Sequence, residues 1–266
     1  MTAFFKLSGA GNDFIALVEP AADPAADAVR AWCRRGLSLG ADGVMALSRE
    51  AAGAVVMKHW NADGGRAELC LNGSRCAVRL AESLGWADGG AVKLRTDAGL
   101  LEGQNTGGNR VEIDVPFAID APAASVLETE QGVFRGWSIR VGVPHLVVFI
   151  DGGAVEDLDL AAVAPDLRRH ADLGPEGANV NFVESRGRRS LAIRTWERGV
   201  EAETLACGTG AVASVFAGLA AGAVEAPAEL TTASGFVLGV DRRGDGARLG
   251  GDARIVARGE LLNGSL

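Results

Sequence analysis

Tyrosine is absent from this chain of 266 residues, and aromatic residues make up only 5% of it. Cysteine is scarce too. Cys33, Cys70, Cys76 and Cys207 are too few for a disulfide framework in a chain of this length, and no two form a Cys-x-x-Cys pair. His59, His145 and His170 are scattered, so no metal site is expected. Basic residues are outnumbered, 26 Lys and Arg against 34 Asp and Glu, giving a net charge of −8. That balance argues against a nucleic-acid or anionic-membrane partner. The longest apolar run, residues 211–224, is short for a membrane span and contains Ser214, Gly218 and Gly222. No Gly-x-Gly-x-x-Gly stands between a strand and a helix, so no dinucleotide cofactor is expected. Met1-Thr2-Ala3-Phe4-Phe5-Lys6 has no targeting pattern, and a cytoplasmic location is the default expectation.

What is abundant is glycine, 37 residues of it, within a chain that is 48% hydrophobic. Many turns between short strands follow. Residues 4–7 read as a first strand, with a loop over 8–13 and a second strand over 14–18. Asp23-Pro24 reads as a helix start, with Val29, Trp32 and Cys33 on one face and Gly36 as the stop. Cys33 and Cys76 read as packed core thiols. Strands are expected over 44–47, 55–60, 92–95 and 111–115, and again over 134–141, 146–150, 179–183 and 191–196, with Gly142-Val143-Pro144-His145 as a turn between two of them. The Pro- and Ala-rich stretch 116–124 reads as a hinge.

Two segments organise this pattern. Cys70-Leu71-Asn72-Gly73-Ser74-Arg75 and Cys207-Gly208-Thr209-Gly210-Ala211 each place a cysteine before small or polar residues and an apolar stretch of helical length. The cysteines are 207 − 70 = 137 positions apart, about half the chain. The expectation is an α+β fold of two pseudo-symmetric lobes, each a mostly antiparallel sheet wrapped around a central helix. The first lobe spans 1–116 and the second 117–254.

A free thiol has a pKa of about 8.5 and is only a few per cent ionised at neutral pH. A helix N-terminus favours its anion by roughly 0.3–1 kcal/mol. The unpaired N–H groups that follow, at Leu71-Asn72 and Gly208-Thr209, can hold a carboxylate. Two such helix ends facing one amino acid would let one thiol remove the α-proton and the other return a proton to the opposite face. In a closed state the sulfurs would then lie roughly 6–7 Å apart, each roughly 3–3.5 Å from the carbon. The partner is thus a small-molecule amino-acid substrate. A homodimer is possible.

At these residues the chain resembles the diaminopimelate epimerases, cofactor-independent enzymes that interconvert LL- and meso-diaminopimelate. The likeness runs through Gly9-Ala10-Gly11-Asn12-Asp13-Phe14, Gly40-Ala41-Asp42-Gly43 and Asn61-Ala62-Asp63-Gly64. It continues through the Cys70 block and Asn179-Val180-Asn181-Phe182 to Glu197-Arg198-Gly199 and Glu203-Thr204-Leu205-Ala206-Cys207-Gly208-Thr209-Gly210. The resemblance implies Cys70 and Cys207 as acid/base thiols and no cofactor. It implies Asn12 and Glu197 near the reacting amino group, with N–H groups of Leu71, Asn72, Gly208 and Thr209 on the reacting carboxylate. Asn61, Asn179 and Arg198 would grip the distal amino acid head, Arg198 by bidentate contact with a second carboxylate. It also implies that residues from about 255 to 266 return to the first lobe. The chain departs from the family at Leu71, where glycine is usual and a side chain could crowd the substrate, and at Val143, where asparagine is common. A third departure is Gly43, where some members carry glutamine. A racemase of a different amino acid, a thiol redox protein and a non-catalytic binding module are the alternatives.

Overall fold

The computed structural model describes residues 2–67, 69–150 and 152–261. The chain divides into two compact units, 1–116 with 250–266, and 117–249.

In the first unit the chain runs β1 (Thr2–Gly9), β2 (Asn12–Val18), α1 (Ala26–Cys33), β3 (Gly43–Arg49), β4 (Val55–Asn61), β5 (Arg66–Ala67), α2 (Leu71–Ser83), β6 (Ala91–Thr96), β7 (Gly99–Gly107) and β8 (Arg110–Asp114). β1 and β2 form an antiparallel hairpin; β2 pairs with β3 in parallel, β3 with β4 antiparallel, and β4 with β6 in parallel. β6, β7 and β8 close the series as antiparallel neighbours.

The second unit runs β9 (Ala123–Thr129), β10 (Gly132–Val141), β11 (Val143–Phe149), α3 (Leu160–Arg168), β12 (Asn179–Gly187), β13 (Ser190–Glu197), β14 (Ala202–Thr204), α4 (Gly208–Ala220), β15 (Ala228–Thr231) and β16 (Val237–Arg243). β17 (Gly246–Asp252) crosses into the first unit and is followed there by β18 (Arg254–Leu261), antiparallel to β1. β10 to β15 repeat the order of parallel and antiparallel pairings seen from β1 to β6.

The return to the first unit begins at Gly250, ahead of the expected residue 255. β17 already pairs with β8, and the Ala253 N–H donates to the Asn109 carbonyl at 2.8 Å. Residues 262–266 of the expected returning segment lie outside the described residues.

Each unit wraps its strands around one helix, and the sequence of each helix explains why it can be surrounded. In α2, Cys76, Ala77, Val78, Leu80 and Ala81 have no exposed surface. In α4, Ala211, Val212, Ala213, Val215 and Ala217 are equally buried. A helix apolar on most sides must be covered on most sides. α2 packs against β1, β2, β4, β6, β7, β8 and β18, and α4 against β10, β11, β12 and β16. Small residues let the strands approach. A Cβ on Gly103 of β7 would stand 2.7 Å from Val78 Cγ2 and 2.8 Å from Ile113 Cγ2. Among the described residues no helix is long and apolar enough to cross a membrane.

Some local expectations fail for identifiable reasons. α1 starts at Ala26 with no side-chain cap, because the Asp23 carboxylate is engaged by Lys58 Nζ at 2.8 Å. The expected loop over 8–13 shrinks to a turn at Ala10-Gly11, since both strands extend to meet it, Gly9 opposite Asn12. Val143-Pro144-His145 lies inside β11, in register with β10, so only Gly142 turns the chain, with φ +69°.

Two results are expected from this packing. Gly103→Ala should cost about 1–3 kcal/mol in denaturant unfolding, as overpacking does in a filled core; an unchanged midpoint would show that β7 can move off α2. Burial, with a minor contribution from Arg66, pushes His59 down to about 4. Its ordinary value of about 6.5 applies in the unfolded chain, so between pH 6.5 and 4 the unfolded state binds more protons and stability falls as pH falls. His59→Leu should flatten that part of the pH–stability curve relative to the unaltered chain, measured by urea unfolding from pH 7 to pH 4.

Candidate active site

The first unit carries one of the two cysteine-led helix starts. Cys70 is extended (φ −134°, ψ 110°), the conformation that lets an N-cap side chain turn back on its helix. Its Sγ accepts the Gly73 N–H at 3.4 Å, and its carbonyl accepts the Ser74 N–H at 2.7 Å. The thiol therefore occupies the positive end of a buried helix dipole. Leu71 is buried, 3% exposed, so its side chain packs into the unit's core. Asn72 joins the helix to the β1–β2 turn: its Nδ2 donates to Asn12 Oδ1 at 2.7 Å, and its Oδ1 accepts Arg75 Nη2 at 2.9 Å. Asn12 in turn donates to Asp42 Oδ2 at 3.1 Å.

Asn12 owes its place to a tight hairpin. Ala10 takes φ +56° and Gly11 φ +100°, the left-handed pair that two-residue hairpins require. Beside it, burial raises Asp13, but hydrogen bonds from Arg35 and Lys6 outweigh that and hold its carboxyl below the usual range. Asn61 stands apart from this chain of amides. It ends β4 exposed, in a turn closed by its N–H to the Gly65 carbonyl at 2.9 Å.

The second unit builds the same arrangement. Cys207 has φ −125° and ψ 111°, and its Sγ accepts the Gly210 N–H at 3.4 Å. The Thr209 hydroxyl also lies 3.4 Å from the sulfur. Cys207 and Gly208 are buried and Thr209 is partly exposed. Asn179 opens β12; its Oδ1 accepts the Arg198 backbone N–H at 2.7 Å and so fixes the turn after β13. Glu197 is the last residue of that strand, paired with Ala202. Arg198 Nη1 donates to Glu176 Oε2 at 3.2 Å, and Arg140 Nη2 lies 3.6 Å from the same oxygen.

Three participants escaped the reading of the sequence. Asn181, with no exposed surface, supports the start of α4 from below. A Cβ on Gly210 would come 2.3 Å from Asn181 Oδ1, which explains the glycine that donates to the thiol. Thr195 Oγ1 donates to that Oδ1 at 3.0 Å, while Asn181 Nδ2 donates to the Leu146 carbonyl at 3.1 Å and lies 3.1 Å from His145 Nδ1. Burial, then Arg198, push His145 down to about 3, so it is neutral here. The alternation of a strand puts Asn179 and Asn181 on one face, and that was the available signal. Glu176 and Arg75 gave no such signal, since nothing in their neighbourhoods marks a long-range partner.

The other two cysteines have no such helix end. Burial raises Cys33 to about 11 and Cys76 to about 12. Both are core thiols.

Known proteins resemble this chain over nearly its whole length. The family model "Diaminopimelate epimerase" matches residues 4–115 and 137–254. A diaminopimelate epimerase of Methanocella arvoryzae is 37% identical over 97% of this chain and 96% of its own length. One from a Hydrogenobaculum species is 35% identical over 96% and 97%. Among solved structures, a phenazine biosynthesis PhzC/PhzF protein from Clostridium difficile shares the fold, with a TM-score of 0.74 at 12% identity over 98% of this chain and all of that one. Matched across both units and at this level of identity, the chain belongs to the diaminopimelate epimerase family.

Proposed function

We propose that the chain interconverts LL- and meso-diaminopimelate by proton transfer at one α-carbon between Cys70 and Cys207, without a cofactor. The observation that carries the reading is the matched pair of thiols, each N-capping the buried central helix of its unit through a 3.4 Å N–H contact. A positioned general base supplies roughly 10²–10⁴ in rate, about 3–5 kcal/mol. The α-proton of an amino acid demands more, and the remainder falls to fixed donors on the carboxylate as it gains charge. The backbone N–H groups of Leu71, Asn72, Gly208 and Thr209 are the donors in this proposal. Asn12 and Glu197 take the reacting amino group. Asn61, Asn179 and Arg198 take the distal head, with Arg198 exchanging Glu176 for the substrate's second carboxylate. The reaction belongs in the cytoplasm, with a small-molecule amino acid as the only partner it needs.

A single-headed amino acid is the second reading. Val143 favours it, because an apolar side chain offers no hydrogen bond to a distal polar head. Turnover of LL-diaminopimelate against a panel of single-headed amino acids separates the two.

The unaltered chain should wash deuterium from heavy water into the α-position of LL-diaminopimelate, and Cys70→Ser or Cys207→Ser should each lower epimerisation at least about 10²-fold. Full activity in either serine variant would end the two-thiol reaction. Glu176→Gln should lower KM for diaminopimelate about two- to five-fold, the worth of an exposed ion pair, and leave kcat unchanged. An unmoved KM would place the distal carboxylate elsewhere than on Arg198.

A further inference from the structure

The two thiol-bearing helices match in backbone and differ in what they bury. Five positions after Cys207 stands Val212; five positions after Cys70 stands Arg75, and both have no exposed surface. The Arg75 guanidinium makes one hydrogen bond, Nη2 to Asn72 Oδ1, and its Nε and Nη1 have no hydrogen-bond partner among the described residues. Removing a cation from water with donors unpaired is costly. The helix does not offset that cost, since its N-terminal end is itself positive. The neighbouring charges are largely spoken for. Asp252 Oδ1 is paired with Arg254 at 2.7 Å, while its Oδ2 is buried with no hydrogen-bond partner among the described residues, and Arg110 lies 3.4 Å from Glu112. At the β1–β2 turn Asp13 is paired with Lys6 at 2.6 Å, and Asp42 with Arg35 at 2.8 Å. His59, from β4, is neutral. Burial holds the Arg75 guanidinium below its ordinary range; the anions that would counter this are those of Cys76 and Cys70 on its own helix, together with Asp252, while Arg110 adds to the lowering. Cys76 is held protonated by burial, at about 12.

We propose that Arg75 is a positioning residue whose buried charge makes Cys70 the deprotonated member of the thiol pair in the resting protein, with Cys207 protonated. The inference rests on the two-thiol reading. In the direction begun by Cys70, its thiolate takes the α-proton and becomes a thiol, while the Cys207 thiol gives its proton to the opposite face and becomes a thiolate. Net charge is unchanged across the step. Product release leaves the anion on Cys207, and proton exchange with water returns it to Cys70. Arg75 acts through a second contact as well, fixing the Asn72 amide so that its Nδ2 faces Asn12.

The test needs no substrate, so it stands apart from the assay of function. The full chain is alkylated with iodoacetamide across a pH series, and the rate at each thiol is followed by peptide mass spectrometry. Cys70 should show a lower pH midpoint than Cys207. Arg75→Met should raise the Cys70 midpoint by about one unit, the usual effect of losing a nearby opposite charge, and leave that of Cys207 in place. Arg75→Lys, which keeps the charge, should recover most of the shift. Equal or reversed midpoints in the unaltered chain overturn the proposal even if Arg75→Met does not fold. So does an unmoved Cys70 midpoint in a folded Arg75→Met protein.

Discussion

A sulfur held against the first free N–H groups of a helix is the contact from which the rest of this protein follows. It requires an extended residue immediately before a helix and a free N–H three positions on, that of Gly73 after Cys70 and of Gly210 after Cys207. It is of most use where water is excluded, because the partial charge of a helix end is screened in solvent. That places the helix inside the protein and demands a covering on nearly every side. Strands supply it, in the same sequence of parallel and antiparallel pairings in both units. The fold is in this sense the housing of two helix ends.

The housing is built differently on its two sides. α4 is almost wholly apolar and carries glycine where strand β12 presses closest, so its first turn is set by contact with Asn181. α2 has looser steric limits at Gly73, where the nearest atoms are methionine methyls at 3.4 and 3.5 Å. Its first turn is set by polar contacts instead, from Asp42 through Asn12 and Asn72 to Arg75. One thiol is held by shape, the other within a run of amides ending in a buried cation. Equal backbone geometry is thus supported by unequal side-chain contacts.

The remaining contacts sit where strands end. Asn12 follows the β1–β2 turn, Asn61 ends β4, Asn179 opens β12, and Glu197 ends β13 with Arg198 just beyond it. Strand ends are rigid at one side and open at the other, so side chains placed there are held in position by the sheet. Just beyond β13, the Arg198 guanidinium is engaged by the Glu176 carboxylate at 3.2 Å.

Read alone, the sequence determined the class of fold, the two cysteine-led helices, the inert character of Cys33 and Cys76, and the family. These follow from local signals: small residues after a cysteine, helical runs of apolar residues, and motifs in a fixed order. Each cysteine is expected at a helix N-terminus, and the helices begin at Leu71 and Gly208. Leu71 looked exposed to a ligand and is packed in the core. Only the tertiary structure decided that Asn181 braces Gly210, that Glu176 holds Arg198, and that Arg75 lies without solvent on the helix that Cys70 caps. The first two join residues 29 and 22 positions apart, and the third sets a long charged side chain inward against its usual preference. Periodicity and composition carry no information about either, since both are settled only when strands distant in sequence close around a helix.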